Sequence, residues 1–137
     1  MKKRLIKIWL LIAAVSCLLG CHKQVDMQQC RVVTEVTVTY LNGPIQCQRK
    51  YLNADKMQQV LNYLRTANPY GVPAEDPEHA DGSDFYIVLT YSDGCQKYYR
   101  QKANRFLRDP DGLWKKLDPT RAEKLGQIIG QMESDVP

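Results

Sequence analysis

The sequence predicts an α+β domain: two strand-strand-helix repeats forming an antiparallel sheet of four to six strands, with both helices on one face. Three observations carry this. Residues 54–64 and 122–132 both follow A-[DE]-K-apolar-x-Q-apolar-apolar-x-x-apolar. Upstream of each lies a β-rich run ending in a hairpin dipeptide, Asn42-Gly43 and Asp93-Gly94. Each run then resumes with Cys-Gln-basic, at Cys47-Gln48-Arg49 and Cys95-Gln96-Lys97.

The helices follow from spacing. Met57, Val60, Leu61 and Leu64 stand at i, i+3, i+4 and i+7, as do Leu125, Ile128, Ile129 and Met132, so each set forms one apolar stripe. Asn53 suits the first N-cap, and Asp118 with Pro119 at the first helical position starts the second. In the first strand Val32, Thr34, Val36, Val38 and Tyr40 share one face, as expected of a half-exposed antiparallel strand. Residues 85–91 are apolar on both faces, which places that strand centrally. The second repeat carries an insertion of about 17 residues before its helix. It reads as a third hairpin, with arms Arg105–Arg108 and Leu113–Leu117 around Asp109-Pro110-Asp111-Gly112. The organisation is therefore repeat one over 32–66, an acidic linker over 67–84, and repeat two with its inserted hairpin over 85–134, all in one domain over 32–137.

The N-terminus carries a different message. Lys2, Lys3, Arg4 and Lys7 precede an apolar run from Ile8 to Leu19, the layout of a secretory signal. The run is too short for a hydrocarbon core of ~30 Å, which takes about 20 residues. It ends in Leu18-Leu19-Gly20-Cys21, which resembles the lipobox of bacterial lipoproteins. The resemblance covers the first 21 residues only, and the domain beyond is not assigned to any family. It implies cleavage after Gly20 and attachment of a diacylglyceryl group, carrying palmitate-type chains, to Cys21. The rival Ala14-Val15-Ser16-Cys17 leaves a very short apolar core, and an uncleaved anchor helix is the other alternative. Residues 21–31 then hold the lipidated Cys and a polar tether, whose eight-residue stretch 22–29 would reach about 15 Å. The expected location is the cell membrane or an outer membrane, lipid-anchored on the extracytoplasmic side. His22 stands where an Asp is associated with inner-membrane retention.

Signal removal rewrites the charge argument. All four charges before Cys21 are cationic, so the formal +4 of the whole chain belongs to the discarded segment. The remainder carries as many acids as bases, which removes the electrostatic case for nucleic acid. Cys30, Cys47 and Cys95 are left. An oxidising exterior permits disulfides, but the number is odd, so pairing among the three stays open. A tight Asn42-Gly43 turn would put Val38 opposite Cys47, and Cys47 and Cys95 are expected as small core residues.

Catalytic signatures are sparse. The mature chain has His22 and His79, and no context of the G-x-S-x-G kind supports a triad through His79. Counting back from Gly82 places Pro77 where a calcium hand needs its first Asp, so that pattern fails. There is no C-x-x-C, no zinc spacing and no phosphate-cradling glycine loop, and no cofactor is expected. A stronger feature is aromatic and basic. Residues 85–117 hold seven of the mature chain's eleven aromatics, interleaved with cations. The candidate binding surface is Tyr98, Tyr99, Arg100, Arg105, Phe106, Arg108 and Trp114, a mixture suited to anionic or carbohydrate ligands and to protein hot spots. Against this stands a plainer reading, in which half the aromatics face the core and the cations neutralise the acidic linker.

The expected function is a membrane-anchored, non-enzymatic envelope binding module, with an envelope protein or an anionic or carbohydrate ligand as partner. On that reading, charge reversal at Arg100 and Arg105 spares the fold and abolishes the partner. The alternatives are a small metal-dependent or His79-dependent hydrolase, and a structural lipoprotein that assembles through a strand edge or a free Cys.

Overall fold

The computed structural model describes residues 31–137. The expected signal, Cys21, most of the tether and Cys30 lie outside these residues. In chain order the elements are β1 (Val33–Asn42), β2 (Ile45–Tyr51), α1 (Ala54–Thr66), a 3₁₀ turn (Pro77–His79), β3 (Asp84–Tyr91), β4 (Gln96–Lys102), β5 (Phe106–Arg108), β6 (Trp114–Lys116) and α2 (Pro119–Gln131). The six strands form one antiparallel sheet in the order β2-β1-β3-β4-β5-β6. This is the expected α+β architecture, with β3 in the interior of the sheet and the insertion folded as the β5–β6 hairpin.

One face of the sheet and both helices enclose the core. Val36 and Val38 of β1, Phe85, Ile87 and Leu89 of β3, Met57, Val60 and Tyr63 of α1, and Ala122, Leu125 and Ile129 of α2 are buried together. The caps are those the sequence implies. Asn53 accepts from the backbone N–H groups of Asp55 and Lys56, and Asp118 accepts from that of Arg121 ahead of Pro119. Tyr63 was not part of the predicted stripe. It is buried because its hydroxyl donates to the side chain of Gln101, which is itself fully buried. Gln101 Nε2 in turn donates to Ala122 O (3.0 Å) and Asn104 Oδ1 (3.1 Å). A satisfied polar group thus ties α1 and α2 to β4, and burial raises the Tyr63 phenol pKa.

The repeats are related in detail by a pseudo-two-fold axis between β1 and β3. Val38 pairs with Ile87, and Val36 pairs with Leu89. The hairpins also match. Tyr40 stands opposite Cys47, and Tyr91 N donates to Cys95 O at 2.9 Å. Gln48 Nε2 donates to Thr39 Oγ1 at 3.1 Å, and Gln96 Nε2 to Thr90 Oγ1 at 3.2 Å. Tyr51 and Tyr99 follow the two Cys-Gln-basic triplets at the same spacing, and burial pushes both phenols up, Tyr51 to about 12.

Three local expectations are corrected. The first hairpin turns over Gly43-Pro44, not Asn42-Gly43, so Tyr40 and not Val38 faces Cys47. Gly43 has φ +56, and Pro44 is held at negative φ by its ring, the pattern of a type II′ turn. Because the partner shifts by two residues, every side chain keeps its face. A bulge between Val33 and Glu35 changes the phase at the start of β1, so Val33 packs against the core while Val32 and Thr34 are exposed. Cys47 is half-buried and Cys95 is exposed beside the Ser92-Asp93-Gly94 loop, and among the described residues neither forms a disulfide.

Candidate functional site

Register decides which of the predicted surface residues can act together. Tyr98 and Tyr99 are adjacent in β4 and therefore point to opposite faces. Tyr99 packs against the helix-covered core, whereas Tyr98 lies on the helix-free face. Reading across the sheet, Tyr86 of β3, Arg100 of β4, Arg108 of β5 and Trp114 of β6 are directly paired, so they form one row on that face. Phe106 belongs to the same face but is buried, so it is not available for contact. Arg105 lies outside the strands and pairs with Glu75 at 2.8 Å.

Arg100 is the centre of the row, and its charge is already used. Its guanidinium meets Asp84 through Nε–Oδ1 (2.9 Å) and Nη2–Oδ2 (3.2 Å), and Nη1 reaches Glu78 Oε2 at 2.6 Å. Lys102 Nζ adds a third cationic hydrogen bond to Asp84 at 2.8 Å. Burial alone would raise the Asp84 pKa. The hydrogen bonds and charges of Arg100 and Lys102 outweigh it and hold the carboxyl below its ordinary value. The two acids correspondingly raise Arg100. The guanidinium carbon also lies 4.9 Å from the Tyr86 ring centroid and 5.6 Å from that of Trp114, so the cation is sandwiched between aromatics. Reversing this charge would gather three carboxylates with Lys102 as the one close cation left on Asp84. Arg100 is thus held by two carboxylates and two aromatic rings, and its charge reversal is expected to cost stability rather than spare it.

The acidic linker supplies part of this network. After α1, Asn68 takes φ +49, Tyr70 forms a β-bridge with Lys116, and the chain returns across the β4–β6 end of the helix-free side. Glu75 and Glu78 meet Arg105 and Arg100, while Pro77 and Ala80 are buried outside the main core cluster. Much of the basic character in residues 97–108 thus neutralises the linker.

Around the row, beside the partly exposed Arg108, several apolar side chains are left open to solvent. Tyr98 is 59% exposed, Leu113 61% and Val72 83%. A hollow of about 490 Å³ lies among Tyr86, Tyr98, Arg100, Arg108 and Pro110. A second, of about 360 Å³, lies among Val72, Pro73, Leu113 and Trp114, and the two share Gly112. Sequence reading missed Tyr86, Leu113 and Val72 as members of one surface. The available signal was an apolar residue in each of two otherwise polar stretches, Gly71-Val72-Pro73 and Gly112-Leu113.

The other candidates do not converge. The His79 side chain is 86% exposed, and its Nδ1 lies 2.8 Å from Asp76 Oδ2. A backbone hydrogen bond from Glu78 and the contact with His79 lower the Asp76 pKa. Among the described residues no group of three or more His, Cys, Asp or Glu side chains is placed to hold a metal ion. No described helix is long and apolar enough to cross a membrane. Comparisons with family models, curated proteins and solved structures return no match.

Proposed function

We propose that the chain is a lipid-anchored envelope lipoprotein whose domain binds a partner protein through the helix-free face of its sheet. The observation that supports this most is the apolar band running from Tyr98 past Tyr86 and Trp114 to Leu113 and Val72. Contiguous exposed apolar surface is costly to leave in water and commonly marks a protein interface. Tyr, Trp and Arg are the residue types that dominate such interfaces energetically. The cations beneath the band are largely paired with linker acids, which favours an aromatic and aliphatic contact over capture of an anion. Anchorage through Cys21 would hold the domain close to the membrane surface.

The test is capture from solubilised envelopes by the full-length lipidated protein, compared with Tyr98→Glu, Leu113→Asp and the helix-side control Lys124→Glu. The expected result is a protein retained by the parent chain and by Lys124→Glu, and lost from the other two. Retention by all four proteins would refute this face as the interface. The hydrolase alternative has less support, because exposed His79 meets one carboxylate and faces neither hollow.

A further inference from the structure

On the opposite side of the sheet, Arg49 breaks the pattern of its strand. It pairs in register with Val38, one of the fully buried core residues, and so projects from the helix-covered face where an apolar side chain would be ordinary. Its Nε is buried without a hydrogen-bond partner. No ion pair among the described residues includes it. Desolvating a guanidinium donor without a partner is unfavourable, and an arginine in this position is explained best by something that pairs with it.

Space for such a partner is present. Arg49 lines a hollow of about 390 Å³ whose other walls include Cys47, Tyr40, Phe85, Gly126 and Gly130. The Tyr40 and Phe85 rings lie 4.8 Å apart, centroid to centroid, and give the hollow an aromatic wall. Gly126 and Gly130 are one helical turn apart on α2. A Cβ at Gly126 would make ordinary contact with Phe85, and one at Gly130 would meet nothing within 4 Å. Glycine inside a helix lowers helix stability relative to alanine, and no close approach of the chain requires it at Gly130. The pseudo-symmetric cation gives a contrast. Lys97 pairs with buried Leu89 and so also projects from the helix-covered side, but it is exposed, 5.7 Å from the Tyr91 ring centroid, and lines neither this hollow nor the two on the helix-free face.

We propose that this hollow is a binding site for a small carboxylate with a compact apolar body. The carboxylate accepts hydrogen bonds from Arg49, whose planar fork matches it. The apolar body lies between the Tyr40–Phe85 wall and the α2 backbone at Gly126 and Gly130. The volume is that of a small-ligand site, and the lining mixes aromatic and aliphatic surface with a few polar groups, Ser83, Asn104 and the Arg49 charge, as such sites commonly do. The site is separate from the helix-free face and does not depend on the function proposed for it.

Cys47 supplies the readout, since its thiol lines the hollow while Cys95 lies exposed in the other hairpin. Full-length protein in lipid nanodiscs would be alkylated with a maleimide, and the rates at Cys47 and Cys95 followed by mass spectrometry. 2-Naphthoate and octanoate are the probes, with 2-naphthalenemethanol as the uncharged comparison. The expected result is that at least one carboxylate slows Cys47 alkylation without affecting Cys95, and that the alcohol does not. Arg49→Gln should weaken the protecting carboxylate about tenfold or more. Gly130→Leu should abolish protection while leaving the fold intact, because it fills open space on an exposed helix. The proposal is overturned if neither carboxylate protects Cys47, if the alcohol protects equally, or if Arg49→Gln or Gly130→Leu protects like the parent.

Discussion

The two repeats share much of their hairpin chemistry, with different turns, and diverge most after the Tyr that follows the Cys-Gln-basic triplet. Both place a Tyr beside a Cys, join a Thr to a Gln across the strands, and follow the Cys-Gln-basic triplet with a buried or half-buried Tyr. After Tyr51, repeat one turns directly into α1, capped by Asn53. After Tyr99, repeat two continues through Arg100 and Gln101 into the β5–β6 hairpin before α2 begins. The insertion widens the sheet on one side only. Pseudo-symmetry is confined to the scaffold. The Arg100 network and the apolar band depend on the insertion and linker of one half, while the Arg49 hollow lies on the helix-covered side.

The largest effect should appear where the halves diverge most. Arg100→Glu should destabilise by about 3–5 kcal/mol, because it leaves the buried Asp84 carboxylate beside a new negative charge. The corresponding position in repeat one is an exposed Leu52, and the charge-neutral Leu52→Gln there should cost no more than about 0.5 kcal/mol. Chemical denaturation of both variants measures the contrast, and equal losses would remove the structural role given to Arg100. Next comes the polar tie between helices and sheet. Gln101→Leu leaves the Tyr63 hydroxyl without its acceptor and should cost about 1–3 kcal/mol. An unchanged denaturation midpoint would contradict that assignment.

Acid should act on both halves through different carboxylates. Asp135 accepts from the backbone N–H groups of Leu52 and Asn53, both at 2.8 Å, and pairs with Lys56. The Lys56 hydrogen bond, followed by those of Asn53 and Leu52, depresses its pKa to about 2. Asp84 is depressed as well. A depressed carboxylate contributes stability that is fully present above its unfolded value of about 3.9 and is lost as pH falls through its folded value. Stability should therefore decline from about pH 4 downward, and Asp135→Asn should be less stable at neutral pH with a shallower acid limb. Parallel pH profiles for parent and variant would refute the clasp. The smallest effects concern turns. Ala103 and Asn104 both have positive φ in the β4–β5 turn, so Ala103→Gly should gain about 0.5–1 kcal/mol. Gly43→Ala, at φ +56 in the repeat-one turn, should lose about 1 kcal/mol. Thermal melts that moved both variants in the same direction would contradict these assignments.

The scaffold was legible in the sequence because its signals are local. Helical spacing, the Asn53 and Asp118 caps and the repeated Cys-Gln-basic triplet each lie within one element. The sites were less legible because they depend on pairing between distant residues. Tyr98 and Tyr99 are neighbours in sequence but lie on opposite faces, and Phe106 is buried although it stands among cations. The pairing of Arg100 with Asp84 joins β4 to the start of β3, and that with Glu78 depends on the path of the linker. Arg49 carries no distinguishing local signal beyond the Cys-Gln-basic triplet, and only its register with Val38 places it on the core side. Cys47 and Cys95 were expected in the core from residue type alone, but their hairpin positions leave one half-buried and the other exposed.

The most direct test of the proposed binding face is hydroxyl-radical labelling of the full-length protein, first in intact envelopes and then after purification. The account predicts that Tyr98, Leu113 and Val72 are labelled several-fold less in the envelope, while Ile45 and Leu52 of repeat one are labelled equally in both. Equal labelling of the first three residues in the two states, or protection confined to Ile45 and Leu52, would contradict it.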